Sequence, residues 1–270
     1  MRRATLWAAG VACALTLTGR GFAADAPGER TEWTVDGVER EALVIAPAKT
    51  SADPAPVVLV FHGHGGTMAS AAGQGFPKHW PEAYIVCPQG LPTVTGNDPA
   101  GTRSGWQPKS GDNQDRDLKF VDAVLKTLKD KHKVDPKRVY ATGHSNGGGF
   151  TYLLWVAGGA EFAAFAPSAA GGGAARGGDA PKPKPVLHVA GETDATVAFE
   201  NQRRTMDRVK KLNGCDPDGK PWAKAGDLVG TQYVSKAGAP FVAVIHPGGH
   251  KYPAEAPGLI VKFFKEHPGK

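Results

Sequence analysis

The chain reads as an α/β fold: a mostly parallel central sheet with helices on both faces and an antiparallel hairpin at its N-terminal end. Three observations predict it. Continuous apolar runs such as Val57-Val58-Leu59-Val60-Phe61 and Tyr84-Ile85-Val86-Cys87 have the make-up of strands buried on both faces. Segments with helical spacing fall between such runs, and regular strand–helix alternation implies parallel crossovers. The 270 residues, 41% hydrophobic and 21% charged, are enough for one large domain, and the 36 glycines and 22 prolines mark turns rather than disorder.

The elements follow in order. Trp33–Val35 and Val38–Ile45 flank Asp36-Gly37, a strong hairpin signal. A polar, Pro-containing connection at 47–56 leads to the strands at 57–61 and 84–87, the second ended by Pro88. Residues 91–111 are a long loop rich in Gly, Pro, Thr and Asn that carries Trp106; ordered loops of that length are often functional. Leu118, Val121, Leu125 and Leu128 then mark one face of a helix. Asp135-Pro136 is expected to break the chain before a strand at 138–142. A helix over Asn146–Val156 follows, then a strand at Phe162–Ala169 and a Gly/Ala/Lys/Pro-rich surface loop at 170–185. The remaining elements are a strand at Val186–Ala190, a helix through Phe199, Met206, Val209 and Leu212, a strand at Phe241–Ile245 and a closing helix through Leu259–Phe264. No second domain is indicated after residue 24.

The first 23 residues read as an export signal. Arg2 and Arg3 precede an apolar stretch from Leu6 to Leu17, and Gly21-Phe22-Ala23 offers small residues for cleavage after Ala23. Cys13 lies inside the apolar run rather than after it, which disfavours a lipoprotein cysteine. Without the signal, Arg2, Arg3 and Arg20 go and no acid does, so the formal charge falls from +6 to +3. No basic run is interleaved with aromatics, so nucleic acid is not an expected partner. No other segment is long and apolar enough for membrane insertion. The mature chain keeps Cys87 and Cys215, which an oxidising compartment would allow to pair. No Cys/His spacing fits a zinc site.

The chemistry centres on Gly143-His144-Ser145-Asn146-Gly147. A G-x-S-x-G sequence between an apolar strand and a helix lifts a serine hydroxyl clear of the sheet on a sharp turn. No lysine follows as a phosphate-cradling loop would require. A serine needs a base, and the base needs a group to orient it; on this scaffold the chain order is Ser, acid, His. The acid should follow the strand at 186–190, where Asp194 is favoured over Glu192. The base should follow the last strand, where His250, on the turn Pro247-Gly248-Gly249, is favoured over His246. Oxyanion donors are expected from the backbone N–H of Asn146 and from the turn His62-Gly63-His64-Gly65-Gly66, with His64 preferred to Gly65. A metal held by His62 and His64 lacks a third ligand nearby. Trp106 is expected to stack on substrate, against the alternative that it anchors its own loop.

The combination of Phe61-His62-Gly63, Pro88-Gln89-Gly90, Gly143 to Gly148, Asn213-Gly214-Cys215 and Gly248-Gly249-His250 with Pro253 resembles the secreted polyhydroxybutyrate depolymerase and feruloyl esterase family of α/β-hydrolases. The resemblance spans about residues 33–266. It implies cofactor-free and metal-free ester hydrolysis, supports Ser145, Asp194 and His250 by position, and implies feruloyl, acetyl, hydroxyalkanoate or small esters as substrates. Cys215 matches a cysteine that in relatives often pairs with a later one, and no later cysteine exists here. The separate substrate-binding module of some polymer-degrading relatives is also missing, which favours soluble esters. A non-catalytic binding protein and a serine peptidase are the competing readings.

Overall fold

The computed structural model describes residues 28–172 and 180–269. The expected export signal lies outside them, as do residues 173–179 of the Gly/Ala-rich loop. Twelve strands and six helices follow in the order β1 (Glu29–Val35), β2 (Val38–Ile45), β3 (Ala55–Phe61), α1 (Met68–Ala72), α2 (Phe76–His79), β4 (Tyr84–Pro88), β5 (Leu91–Pro92), β6 (Ser104–Gly105), α3 (Arg116–Lys131), β7 (Val134–His144), α4 (Asn146–Gly158), β8 (Ala164–Ser168), β9 (Val186–Gly191), α5 (Phe199–Leu212), β10 (Lys220–Ala225), β11 (Leu228–Tyr233), β12 (Phe241–His246) and α6 (Ala256–Glu266).

Ten of the strands form one sheet in the order β1-β2-β4-β3-β7-β8-β9-β12-β11-β10. The centre, from β4 to β12, is parallel, and an antiparallel pair extends each edge. This is an α/β-hydrolase fold. Apolar side chains alternate between the two faces of each central strand, so the core is in two layers. Leu59, Phe61 and Ala141 pack with Phe120, Phe150 and Val209 beneath α3, α4 and α5. Val58, Val60 and Tyr140 pack with Phe76, Ile260 and Phe264 beneath α1, α2 and α6. Such two-sided burial is why these strands read as unbroken apolar runs.

Two features differ from expectation. Asp135-Pro136 does not break the chain; β7 runs through it, and the register against β3 jumps from Ala55–Val134 to Val57–Val139. The irregularity accommodates a proline that cannot donate to the ladder. The second is the hairpin β10–β11, turned at Gly226-Asp227, which adds an antiparallel edge the strand–helix pattern did not indicate. Cys87 and Cys215 are both free. Cys87 belongs to the layer under α1, α2 and α6, whereas Cys215 packs against the opposite one, so the sheet separates them and pairing is ruled out by topology.

Candidate active site

Because β3, β7, β9 and β12 are parallel, their C-terminal ends share one rim, where ligands bind in open α/β sheets. Apart from Trp106, each expected site residue follows one of those ends. Ser145 forms the corner between β7 and α4 with φ 55° and ψ −118°, a left-handed conformation unfavourable for a side-chain-bearing residue. Its N–H is anchored to Ser168 O at 2.8 Å. The flanking glycines are steric necessities: a Cβ on Gly143 would collide with the Gly147 carbonyl, and one on Gly147 with the carbonyls of Phe61 and His62. The pentapeptide is therefore a close crossing of β7, α4 and β3.

Asp194 and His250 are brought together by their loops. Glu192 N–H donates to His246 O at 2.9 Å and Thr193 N–H to Gly248 O at 3.2 Å, which zips the loop after β9 to the loop after β12. His250 Nδ1 then lies 2.9 Å from Asp194 Oδ2, and His250 Nε2 lies 2.9 Å from Ser145 Oγ. The Asp194 side chain is fully buried, while 26% of the His250 side chain is exposed. Burial opposes the charge on Asp194, but it is outweighed by donation from His250 and from the Val197 and Thr196 N–H groups, which holds the carboxyl below its ordinary range. Glu192 is exposed on the outer side of the turn. The His246 ring folds back on its own loop, accepting from Gly248 N–H at 3.1 Å. Neither alternative approaches Ser145 through a hydrogen bond.

At the rim of β3, Gly65 N–H donates to Ser104 O at 2.6 Å and Gly66 N–H to Gly63 O at 2.9 Å. Those two donors are consumed within the protein. The His64 ring is held by Asp98, with Nε2 3.1 Å from Oδ2. His62 is buried and structural: its Nε2 accepts from Gly90 N–H at 3.0 Å and its Nδ1 lies 2.8 Å from Gly63 O. Burial lowers its pKa, consistent with a neutral ring.

Trp106 is a correction. The loop expected to expose it folds back instead through β5 and β6, and the ring is fully buried. It lies edge-on to Phe61 at 5.1 Å and stacked on Phe150 at 5.2 Å, with no face available to a substrate. Its Nε1–H donates to His62 O at 2.9 Å, its N–H donates to Asn146 Oδ1 at 2.7 Å, and its carbonyl accepts from Asn146 Nδ2 at 3.1 Å. Trp106 thus pins together the two segments that carry the expected oxyanion donors. The long loop was legible as important, but the burial of its tryptophan was not, because only the non-local fold closes over it.

Sequence reasoning also passed over Gln202 and His188, which stand behind Asp194. Gln202 Nε2 donates to Asp194 Oδ2 at 2.9 Å, and His188 Nε2 lies 3.1 Å from Gln202 Oε1. The only signal was a histidine and a glutamine on otherwise buried faces of β9 and α5. Among the described residues, no group of three or more His, Cys, Asp or Glu is arranged to hold a metal ion.

The dienelactone hydrolase family model matches residues 41–215, which include the Ser145 corner and Asp194. Feruloyl esterase C of Emericella nidulans is 28% identical over 200 residues, covering 73% of this chain and 70% of that protein. Poly(3-hydroxyalkanoate) depolymerase C of Paucimonas lemoignei is 27% identical over 236 residues, 74% of this chain and 56% of its own length. In three dimensions the chain resembles an acetyl xylan esterase from Aspergillus awamori, with a TM-score of 0.63 at 12% identity over 88% of this chain and 99% of the other. With most of its length matched by the family and its fold in agreement, the chain belongs to the dienelactone hydrolase family.

Proposed function

We propose that this protein is a serine carboxylic-ester hydrolase in which Ser145 is the nucleophile, His250 the general base and Asp194 the orienting acid. One observation carries the reading: a serine on a strained strand–helix corner lies 2.9 Å from an imidazole whose other nitrogen lies 2.9 Å from a buried carboxylate. Ser145 Oγ attacks the ester carbonyl carbon as its proton passes to His250 Nε2. The alkoxide leaves with that proton as an alcohol, and water, deprotonated by His250, cleaves the acyl-enzyme to the free acid. Asp194 accepts from Nδ1–H and stabilises the imidazolium. The N–H groups of His64 and Asn146 stabilise the tetrahedral oxyanion.

Feruloyl or acetyl esters of polysaccharides are the favoured substrates, supported by relatives named as feruloyl esterases and a structural neighbour named as an acetyl xylan esterase; hydroxyalkanoate and small esters rank behind them. Export follows from the Arg2-Arg3 start, apolar stretch and small residues of 1–23. No helix among the described residues is long and apolar enough to cross a membrane.

Ser145→Ala should lower turnover of p-nitrophenyl acetate by about 10⁴-fold or more without unfolding the chain. His250→Ala should fall with it, and His246→Ala should stay within a few-fold of wild type. A folded Ser145→Ala enzyme that kept a tenth of the activity would remove Ser145 from the mechanism. A panel of methyl ferulate, acetylated xylan, p-nitrophenyl acetate and a hydroxybutyrate oligomer ranks the substrates.

A further inference from the structure

We propose that Gln202 is a positioning residue for Asp194 and His250, locked in a single amide orientation by His188 and Tyr152; the inference rests on the triad reading above. Asp194 has four donors. Its Oδ1 accepts from the Thr196 and Val197 N–H groups, both at 2.9 Å, and its Oδ2 accepts from His250 Nδ1 and Gln202 Nε2, both at 2.9 Å. Gln202 therefore donates to the same oxygen that orients the base.

The polarity of the chain behind that oxygen is determined. Gln202 Nε2 also donates to Val197 O at 2.7 Å, so both amide hydrogens are in use and Oε1 must face His188. An amide oxygen only accepts, so His188 Nε2 carries the hydrogen that it donates across 3.1 Å. His188 Nδ1 is then an acceptor, and the Tyr152 hydroxyl donates to it at 2.7 Å. Tyr152, His188, Gln202 and Asp194 are all buried, with Gln202 and His188 completely so. Burial pushes His188 down to about 4, which keeps it neutral and preserves this tautomer at working pH. Flipping the Gln202 amide would set Oε1 against a carboxylate and Nε2 against an N–H donor, a double mismatch in a low-dielectric interior.

The chain also joins the two halves of the site. Tyr152 belongs to α4, which begins directly after Ser145, whereas Asp194 hangs from β9. A neutral amide steadies the carboxylate without placing a second cation beside it. Asp194 thus keeps its attraction for the imidazolium of His250.

The test compares Gln202→Leu with the triple variant Gln202→Leu/His188→Leu/Tyr152→Phe. The single variant strands the His188 N–H and should lower the melting temperature. The triple variant removes the whole polar chain and should recover much of it, since replacing all partners by apolar groups is far less costly than orphaning one. In both, kcat for p-nitrophenyl acetate should fall on the order of 10- to 100-fold with KM within about two-fold, the loss expected for one hydrogen bond to a charged group. The acidic limb of the kcat/KM–pH profile should move upward, because an Asp194 carboxylate no longer shared with an amide favours the protonated base more strongly. Recovery of kcat together with the melting temperature in the triple variant, or an unmoved acidic limb, would make Gln202 purely structural and overturn the proposal. A fluorophosphonate probe distinguishes the two levels. Labelling of wild type at Ser145 with unaltered Gln202 variants defeats this inference alone, whereas failure to label Ser145 defeats the triad itself.

Discussion

Asp117 and Asp194 are both carboxylates with fully buried side chains that take donors from backbone N–H groups, and they differ in the side chain they face. Asp117 meets Arg40, also fully buried, at 2.9 Å, and its other oxygen accepts from Gln107 N–H at 2.8 Å. Arg40 donates further to Arg116 O and Gln89 O and lies 4.2 Å above the Phe120 ring. That buried pair clamps β2, one strand in from the edge, to α3 and to the segment beside Trp106. Asp194 instead faces the His250 imidazole, which is partly exposed beside Ser145. Its second partner is a neutral amide. A buried carboxylate held by arginine is a static joint; in the proposed mechanism, one held by histidine and glutamine keeps its charge available for a proton cycle.

Neutralising each acid should therefore break different properties. Asp194→Asn should cost on the order of 10⁴-fold in kcat by favouring the wrong His250 tautomer, with a lower melting temperature as well, since the new NH2 group faces the Gln202 Nε2–H donor. A loss under ten-fold would show that Asp194 does not orient the base. Asp117→Ala should be a stability mutation, because it leaves the Arg40 guanidinium buried and unpaired. About 3–5 kcal/mol is expected, roughly 10 °C in melting temperature, with KM of the folded fraction unchanged. Calorimetry alongside initial rates checks both, and equal losses of activity and stability in both variants would erase the distinction.

Acidification sharpens the same contrast. Burial, the leading cause in both, holds His188 and His144 at about 4, down from 6.5. The unfolded chain protonates these rings below about pH 6.5 while the native state does not, so stability falls as pH drops from 6.5 towards 4. His188 alone contributes roughly 3 kcal/mol to that decline. Above 6.5 both forms are neutral and these groups add no slope. Thermal melts from pH 7.5 to 4 should show the fall, and a flat curve across the window would mean that His188 is not held neutral.

The smallest effect is expected at the pin between the oxyanion segments. Trp106→Phe keeps the ring packing and loses the donation to His62 O, worth about 1 kcal/mol. Turnover should drop a few-fold on methyl ferulate and p-nitrophenyl acetate alike. A KM increase confined to methyl ferulate would return Trp106 to a substrate-facing role.

Much of this architecture was legible locally. The central strands are written as apolar runs because both of their faces are covered, and Asp36-Gly37 specifies its hairpin by turn chemistry alone. Gly143-His144-Ser145-Asn146-Gly147 signals its corner locally through Gly143, whose Cβ would meet the Gly147 carbonyl, whereas Gly147 is required by the distant carbonyls of Phe61 and His62. The edge hairpin β10–β11 escaped because edge strands are only half covered, and Lys220, Lys224 and Gln232 interrupt any apolar run. Its turn signal, Gly226-Asp227, was present but weak beside the strand–helix rhythm.

What the sequence by itself determined about this protein is the α/β class, the Ser145 corner and the short lists from which the proposed acid and base come. Tertiary structure decided the rest. Glu192 and Asp194 differ by two positions, as His246 and His250 differ by four, and the backbone bonds between the loops after β9 and β12 accompany His250 beside Ser145 and Asp194 beside His250. The same holds for the burial of Trp106, for the sheet that separates Cys87 from Cys215, and for the chain from Tyr152 through His188 and Gln202 to Asp194. The hydrogen bonds in these arrangements join residues 8 to 105 positions apart in the chain. Hydrophobic periodicity reports which face of an element is buried, but not which element from elsewhere in the chain buries it.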